Sequence, residues 1–187
     1  ELGAAVTSGV ISLEEGVRVV HWRSHCQGLV EGKGIMAAVG LSEPEIRDLI
    51  TPFAKTVDIA AINGPRAVTI AGVGEDIREV CKRLAEKGVF NRELKVSAAF
   101  HSAIMDPVEA PFRTGLGEVS TRKEEVAFFS SVTGNLCPGD SVDADHWFKN
   151  IRQPVEFYRA LRAMLDSGHR HFIEIGPHPV VRRESLE

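Results

Sequence analysis

Cysteine is scarce: the 187 residues hold three, at positions 26, 81 and 137, and no two form a C-x-x-C pair. That spacing argues against a disulfide framework and against a structural zinc site, and makes a reducing cytoplasm the expected setting. No apolar run approaches the roughly 20 residues that a membrane-spanning helix needs, and residues 1–9 lack the basic-then-apolar order of a signal peptide. Positive charge is not in excess either. With 22 Lys and Arg against 26 Asp and Glu the net charge is −4, which speaks against a nucleic-acid binder. Glycine-rich phosphate motifs are missing, since G-V-G-E at 72–75 has neither the lysine nor the glycine spacing of a P-loop. No G-x-S-x-G nucleophile elbow occurs anywhere.

What is present is an ordinary globular composition, 43% hydrophobic and 26% charged, on a chain long enough for one domain with a buried core. The first residue is Glu rather than Met, so the chain is expected to be cut from a longer one, and its two ends carry little weight. Ser12 and Glu15 have capping-box spacing and predict a helix over 13–30, preceded by a short one over 2–8 that Gly9 ends. A strand is expected at 35–41. A second capping box, Ser42 and Glu45, opens a helix over 42–53 with Pro44 tolerated in its first turn. Strands at 57–62 and 67–71 flank the turn residues Asn63, Gly64, Pro65 and Arg66 and predict a hairpin. A helix over 75–87, with Ile77, Val80 and Leu84 on one face, and a strand at 92–97 complete the order βαββαβ, the ferredoxin-like motif.

The remaining segments alternate helix and strand. Residues 101–116 suit a helix with Met105, Val108, Phe112 and Leu116 inward, interrupted by Pro107 and Pro111; 126–132 suits a buried strand, 135–140 a turn and 145–151 a short helix. Pro154 is expected at a first helical position, Gly168 closes that helix, and 172–175 reads as a strand running into Gly176, Pro177, His178 and Pro179. The expected fold is therefore α/β, with the βαββαβ unit at 34–97 inserted into a body made of 1–33 and 98–187.

Among residues that could carry chemistry, Arg23 sits in a Val-rich helix beside Val19, Val20 and Trp22. Two readings stand: a structural ion pair or snorkelling side chain, and a bidentate clamp for a carboxylate. His101 falls between a strand end and a helix start, as a packed or capping residue or as a general base. His21 and His25 have the i, i+4 spacing of a metal pair without a third ligand in the neighbouring sequence, and no metal is expected. His169 and His171 read as surface residues.

Several segments together resemble the acyltransferase domains of polyketide and fatty-acid synthases. The opening E-L-G-A-A-V-T-S-G-V-I-S-L-E-E is similar to the stretch that follows the GHSxG elbow in that family, V-V-H-W-R-S to its arginine helix, and A-A-I-N-G-P-R-A-V-T-I-A-G to its hairpin. A-A-F-H-S resembles its histidine motif, and N-I-R-Q-P-V-E-F and E-I-G-P-H-P-V two late motifs. The resemblance covers nearly the whole chain. It implies an α/β-hydrolase-like large subdomain, its N-terminal part missing, with an inserted ferredoxin-like small subdomain.

The resemblance also implies roles. Arg23 would hold the free carboxylate of a malonyl group, His101 would be the general base, and the backbone carbonyl that orients it is expected at Asn150. Phe100, just before the histidine, would select malonyl over methylmalonyl by filling the space of an α-methyl branch, while Gln27 and Asn63 would lie near the pocket. The nucleophilic serine would precede Glu1, because Ser102, beside His101, has no elbow. The expected activity is malonyl transfer from malonyl-CoA, through a serine ester, to the phosphopantetheine thiol of an acyl carrier protein, with no cofactor bound and neighbouring synthase domains as partners. Two other readings are a thioester hydrolase that edits stalled acyl groups and a non-catalytic docking module.

Overall fold

A computed structural model describes residues 1–176. Two helices open it, α1 (Leu2–Thr7) and α2 (Leu13–Gly28). The Ser12 hydroxyl accepts the Glu15 N–H at 3.2 Å, a cap whose loss costs about 1 kcal/mol. Arg18 reaches from α2 to the carbonyls of Leu116 and Glu118, both at 2.8 Å, tying α2 to the C-terminal end of α5 (Glu109–Leu116).

Strands β1 (Ile35–Val39), β2 (Val57–Gly64), β3 (Ala67–Gly72) and β4 (Asn91–Glu93) form one sheet in the order β2-β3-β1-β4, every neighbouring pair antiparallel. Its two faces are buried differently. Alternate residues Ala37, Val39, Ile59 and Ile70 pack under α3 (Glu43–Ile50) and α4 (Gly74–Glu86) with Ile46, Ile77, Val80 and Leu84. Fully burying each such branched side chain contributes roughly 1.5–3 kcal/mol. The intervening residues Met36, Ala60 and Ala71 face the opposite way, onto Ala99 and Phe100. Gly34 makes this approach possible: at φ +67°, a Cβ there would collide with Ile104, the Gly72 carbonyl and Ala99. The reciprocal capping box of Ser42 and Glu45 is formed at the start of α3.

The second core joins α1, α2 and α5 to α6 (Ala144–Arg152), with Val19, Met105, Phe112, Trp147 and Ile151 all fully buried. Helix α7 (Phe157–Asp166) follows, and β5 (Phe129–Ser130) pairs with β6 (Asn135–Leu136).

The structure departs from the sequence-based expectations in seven places. The strand expected over 92–97 is only β4, and the helix expected over 42–53 ends at Ile50 with a 3₁₀ turn after it. The strand expected over 126–132 is only β5, because its ladder partner is two residues long, and Val126 is exposed. Part of the turn expected over 135–140 is that partner strand, β6. The helix expected from His101 is a 3₁₀ turn, Ala103–Val108, followed by α5, since Pro107 removes a helical donor. Pro154 does not start a helix. It precedes Val155, whose N–H donates to Ala60 O and whose carbonyl accepts from Ile62 N–H, both at 2.9 Å, so that segment is held extended against β2 and α7 begins at Phe157. Residues 172–175 are irregular; no described strand pairs with them, and Ile173 and Ile175 are almost fully exposed. The rest of that late motif, from Pro177 on, lies outside the described residues.

Candidate functional site

The sheet's second face and the end of α6 converge on residues 98–102. Ala98 and Ala99 are fully buried, and Phe100 packs on both the sheet and the helical core. His101 follows with φ +57°, the one non-glycine residue with positive φ among those described. Histidine tolerates this conformation better than most residues, yet it persists only where surroundings impose it. Here they do: the His101 N–H donates to Ile151 O at 3.1 Å, and ring Nδ1 lies 2.9 Å from Gln153 O.

A carbonyl oxygen can only accept, so Nδ1 carries the proton and the neutral ring presents Nε2 as its basic atom. Burial drives the His101 pKa down to about 4; the Gln153 carbonyl opposes this, and the nearby positive charge of Arg23 adds to it. The ring is neutral at pH 7. Gln153 caps α6, whose carbonyl end carries partial negative charge and favours a cation formed on the ring during a reaction. The sequence-based expectation of Asn150 as the orienting position is thereby corrected. Asn150 lies nearly a turn before the end of α6, whereas Gln153, the residue that caps the helix, places its carbonyl against the ring.

Arg23 projects from α2 with its Nε buried and without a hydrogen-bond partner among the described residues. Burial lowers its pKa, partly offset by Glu1. No ion pair of Arg23 is found among the described residues, so the structural ion-pair reading has no counterpart there. A partly buried guanidinium with an open donor can take a carboxylate, and planar two-point contact is what it does best. Gln27, one turn later on α2, is half-buried. Asn63 stands on β2 with its Nδ2 3.4 Å from Thr69 Oγ1. Ser102 is buried, and its hydroxyl donates to Ala99 O at 2.6 Å, an arrangement that caps the next turn and leaves no exposed nucleophile. The stacked rings of His21 and His25, 6.4 Å apart, lie on the exposed side of α2. His169 and His171 are exposed and line a separate cleft of about 410 Å³ with Phe128 and Phe129.

Sequence reasoning missed a second buried cluster. The Glu1 carboxylate accepts from Ser130 Oγ at 2.7 Å, from Ser131 N–H at 3.0 Å, from the Ser131 hydroxyl and from His146 Nε2 at 2.8 Å. Burial alone would raise the Glu1 pKa, but these donors outweigh it and hold it at about 2. Nothing in the type or spacing of these residues announces the contact; 145 residues separate Glu1 from His146.

Comparison with known proteins fits this geometry. The family described as "Acyl transferase domain" matches residues 1–186. "Mycoketide-CoA synthase" of Mycobacterium tuberculosis is 35% identical over 181 residues, covering 97% of this chain and 4% of that protein. A loading acyltransferase from the avermectin modular polyketide synthase superposes with a TM-score of 0.93 at 31% identity, covering 99% of this chain and 59% of that one. A malonyl CoA-acyl carrier protein transacylase from Clostridium perfringens superposes with a TM-score of 0.89 at 27% identity, covering 99% and 60%. The chain thus spans a small fraction of the curated relative and about three fifths of the two solved chains, and it shares their mixed α/β acyltransferase fold.

Proposed function

Because this chain belongs to the acyl transferase domain family, we propose that it supplies the base and the carboxylate contact of an enzyme moving malonyl units from malonyl-CoA to an acyl carrier protein. The observation that carries the proposal is a neutral His101, with Nδ1 committed to Gln153 and Nε2 available, near a half-buried Arg23 whose buried Nε is an unused donor. In the first step His101 Nε2 takes the proton of a serine hydroxyl while its oxygen attacks the thioester carbon; the C–S bond breaks and the proton passes to the CoA sulfur. In the second, the phosphopantetheine thiol gives its proton to the same nitrogen and attacks the serine ester; the ester C–O bond breaks, and the proton returns from Nε2 to the serine oxygen. No nucleophile is assigned to this chain: it contains no G-x-S-x-G, and the Ser102 hydroxyl is engaged.

Arg23 favours acyl groups that end in a carboxylate, since an uncharged end would leave a buried cation unpaired. Phe100, wedged between the sheet and the helical core, occupies space that an α-branch would need, which supports malonyl over methylmalonyl. The proposal includes a ferredoxin-like unit at 34–97 within a hydrolase-like body at 1–33 and 98–187, a reading supported by the sheet order β2-β3-β1-β4. Cytoplasmic location and neighbouring synthase domains as partners belong to the same reading.

The test is malonyl loading by the full-length protein bearing these residues, read by intact mass with malonyl-CoA and acetyl-CoA. His101→Ala is expected to abolish loading, and Arg23→Ala to lower the malonyl-over-acetyl preference by at least tenfold. Undiminished malonyl loading by both variants would reject the assignment, and rapid release of free malonate in place of transfer would favour a hydrolase.

A further inference from the structure

We propose that Arg152, held by Asp58 and Asp106, is a positioning residue for His101: it fixes the turn whose Gln153 carbonyl receives the ring. This inference rests on His101 being the base. Three segments meet at Arg152. It is the last residue of α6 and lies between the two carbonyls, Ile151 and Gln153, that accept the two donors of His101. Its Nε binds the Asp106 carboxylate, on the 3₁₀ turn that follows His101, and one terminal nitrogen lies 3.9 Å from Asp58 Oδ2, on β2.

The same Asp58 oxygen accepts the Ala103 N–H at 2.7 Å, two residues after His101. Asp58 therefore grips the His101 loop directly and the carbonyl-bearing turn through Arg152. Because Val155 bonds β2 on both of its backbone groups, the turn at 153–154 is stitched to the sheet on one side and to the histidine loop on the other. These ion pairs are separate from the backbone bonding of α6 and of β2. What the side chains add is the relative placement of the segments that touch His101. Arg152 and Asp58 are about one quarter and one third exposed, so solvent screens their contact less than it would an open surface pair. A guanidinium can address two carboxylates in fixed directions, which an ammonium cannot do.

The experiment compares Arg152→Gln, Asp58→Asn and the double variant with the parent in the full-length protein. The readouts are kcat and KM for malonyl loading, and the His101 ring pKa and tautomer by NMR, assigned with His101→Ala. Each single variant is expected to lower kcat on the order of 10- to 100-fold, with KM within about twofold, as small misplacements of a catalytic group do. As water reaches the ring its pKa should rise from about 4 toward the ordinary histidine value. The double variant should be no slower than the worse single one, because both changes break one unit.

Folded variants with unchanged kcat and an unchanged ring titration would overturn the proposal, as would strictly additive losses. If Asp58→Asn does not fold, Asp106→Asn removes the more exposed partner, and a smaller upward shift of the same ring is expected; no shift refutes the clamp. Failure of the parent to load malonyl would instead reject the reading under Proposed function, while the ring titration would still report on the clamp.

Discussion

Replacing Glu1 with Gln removes the negative charge from the buried cluster with His146, Ser130 and Ser131 while keeping the side chain's shape. The folded carboxyl has a pKa of about 2, against an ordinary value of 4.5. As pH falls, the unfolded chain takes up this proton first, so the cluster contributes stability that is complete above about pH 4.5 and is lost as pH drops through about 2. At about 1.4 kcal/mol per pKa unit, the contribution at pH 7 is about 3 kcal/mol. The side chain is 4% exposed, so screening by solvent takes little of it away.

Urea unfolding followed by tryptophan fluorescence measures this directly, since buried Trp147 is the neighbour of His146. At pH 7 the wild type should exceed Glu1→Gln by about 3 kcal/mol, a midpoint difference on the order of 1–2 M urea. At pH 2 the gap should fall below about 1 kcal/mol. Other carboxylates titrate alike in both proteins and cancel. A gap of equal size at pH 7 and pH 2 would show that the Glu1 carboxylate is not held by these donors, and would refute the reasoning.

Three further outcomes follow from the site. Malonyl loading should be flat between pH 5 and 8 and fall as pH drops through about 4, because only the neutral ring accepts a proton; a midpoint near 6.5 in the pH–rate profile would place His101 in water instead. Phe100→Ser should shift the ratio of kcat/KM for methylmalonyl over malonyl upward by roughly 1 to 3 kcal/mol, measured by competition between the two CoA thioesters, and an unchanged ratio would remove Phe100 from the pocket. A methyl group at Gly115 would collide with the ring of Trp22, next to Arg23, so Gly115→Ala should cost about 1–3 kcal/mol and lower the Tm by a few degrees. An unaltered Tm would mean that α2 and α5 pack more loosely there than the structure indicates.

The parts of the fold legible in the sequence are those governed by local chemistry. The caps at Ser12 and Ser42, the hairpin around 63–66 and the apolar stripe of α4 depend on neighbours within a few residues, and each element forms within about three residues of its expected place. Segments whose state depends on a distant partner were misread. Residues 126–132 and 172–175 have the composition of strands but find little or no described strand to pair with, and 154–156 is claimed by β2 before a helix can start.

The same division runs through the site. Residue type and motif resemblance pointed to Arg23, Phe100 and His101, because their chemistry lies in their side chains. The orienting contact escaped, because any residue can supply a carbonyl and only the placement of the end of α6 decides that Gln153 rather than Asn150 meets the ring. The ring's low pKa, the open donor on Arg23, the Arg152 clamp and the Glu1 cluster are likewise products of burial and of contacts between residues tens of positions or more apart. Local preferences act over one turn of chain and can be read from it; desolvation and long-range pairing exist only once the chain has closed on itself.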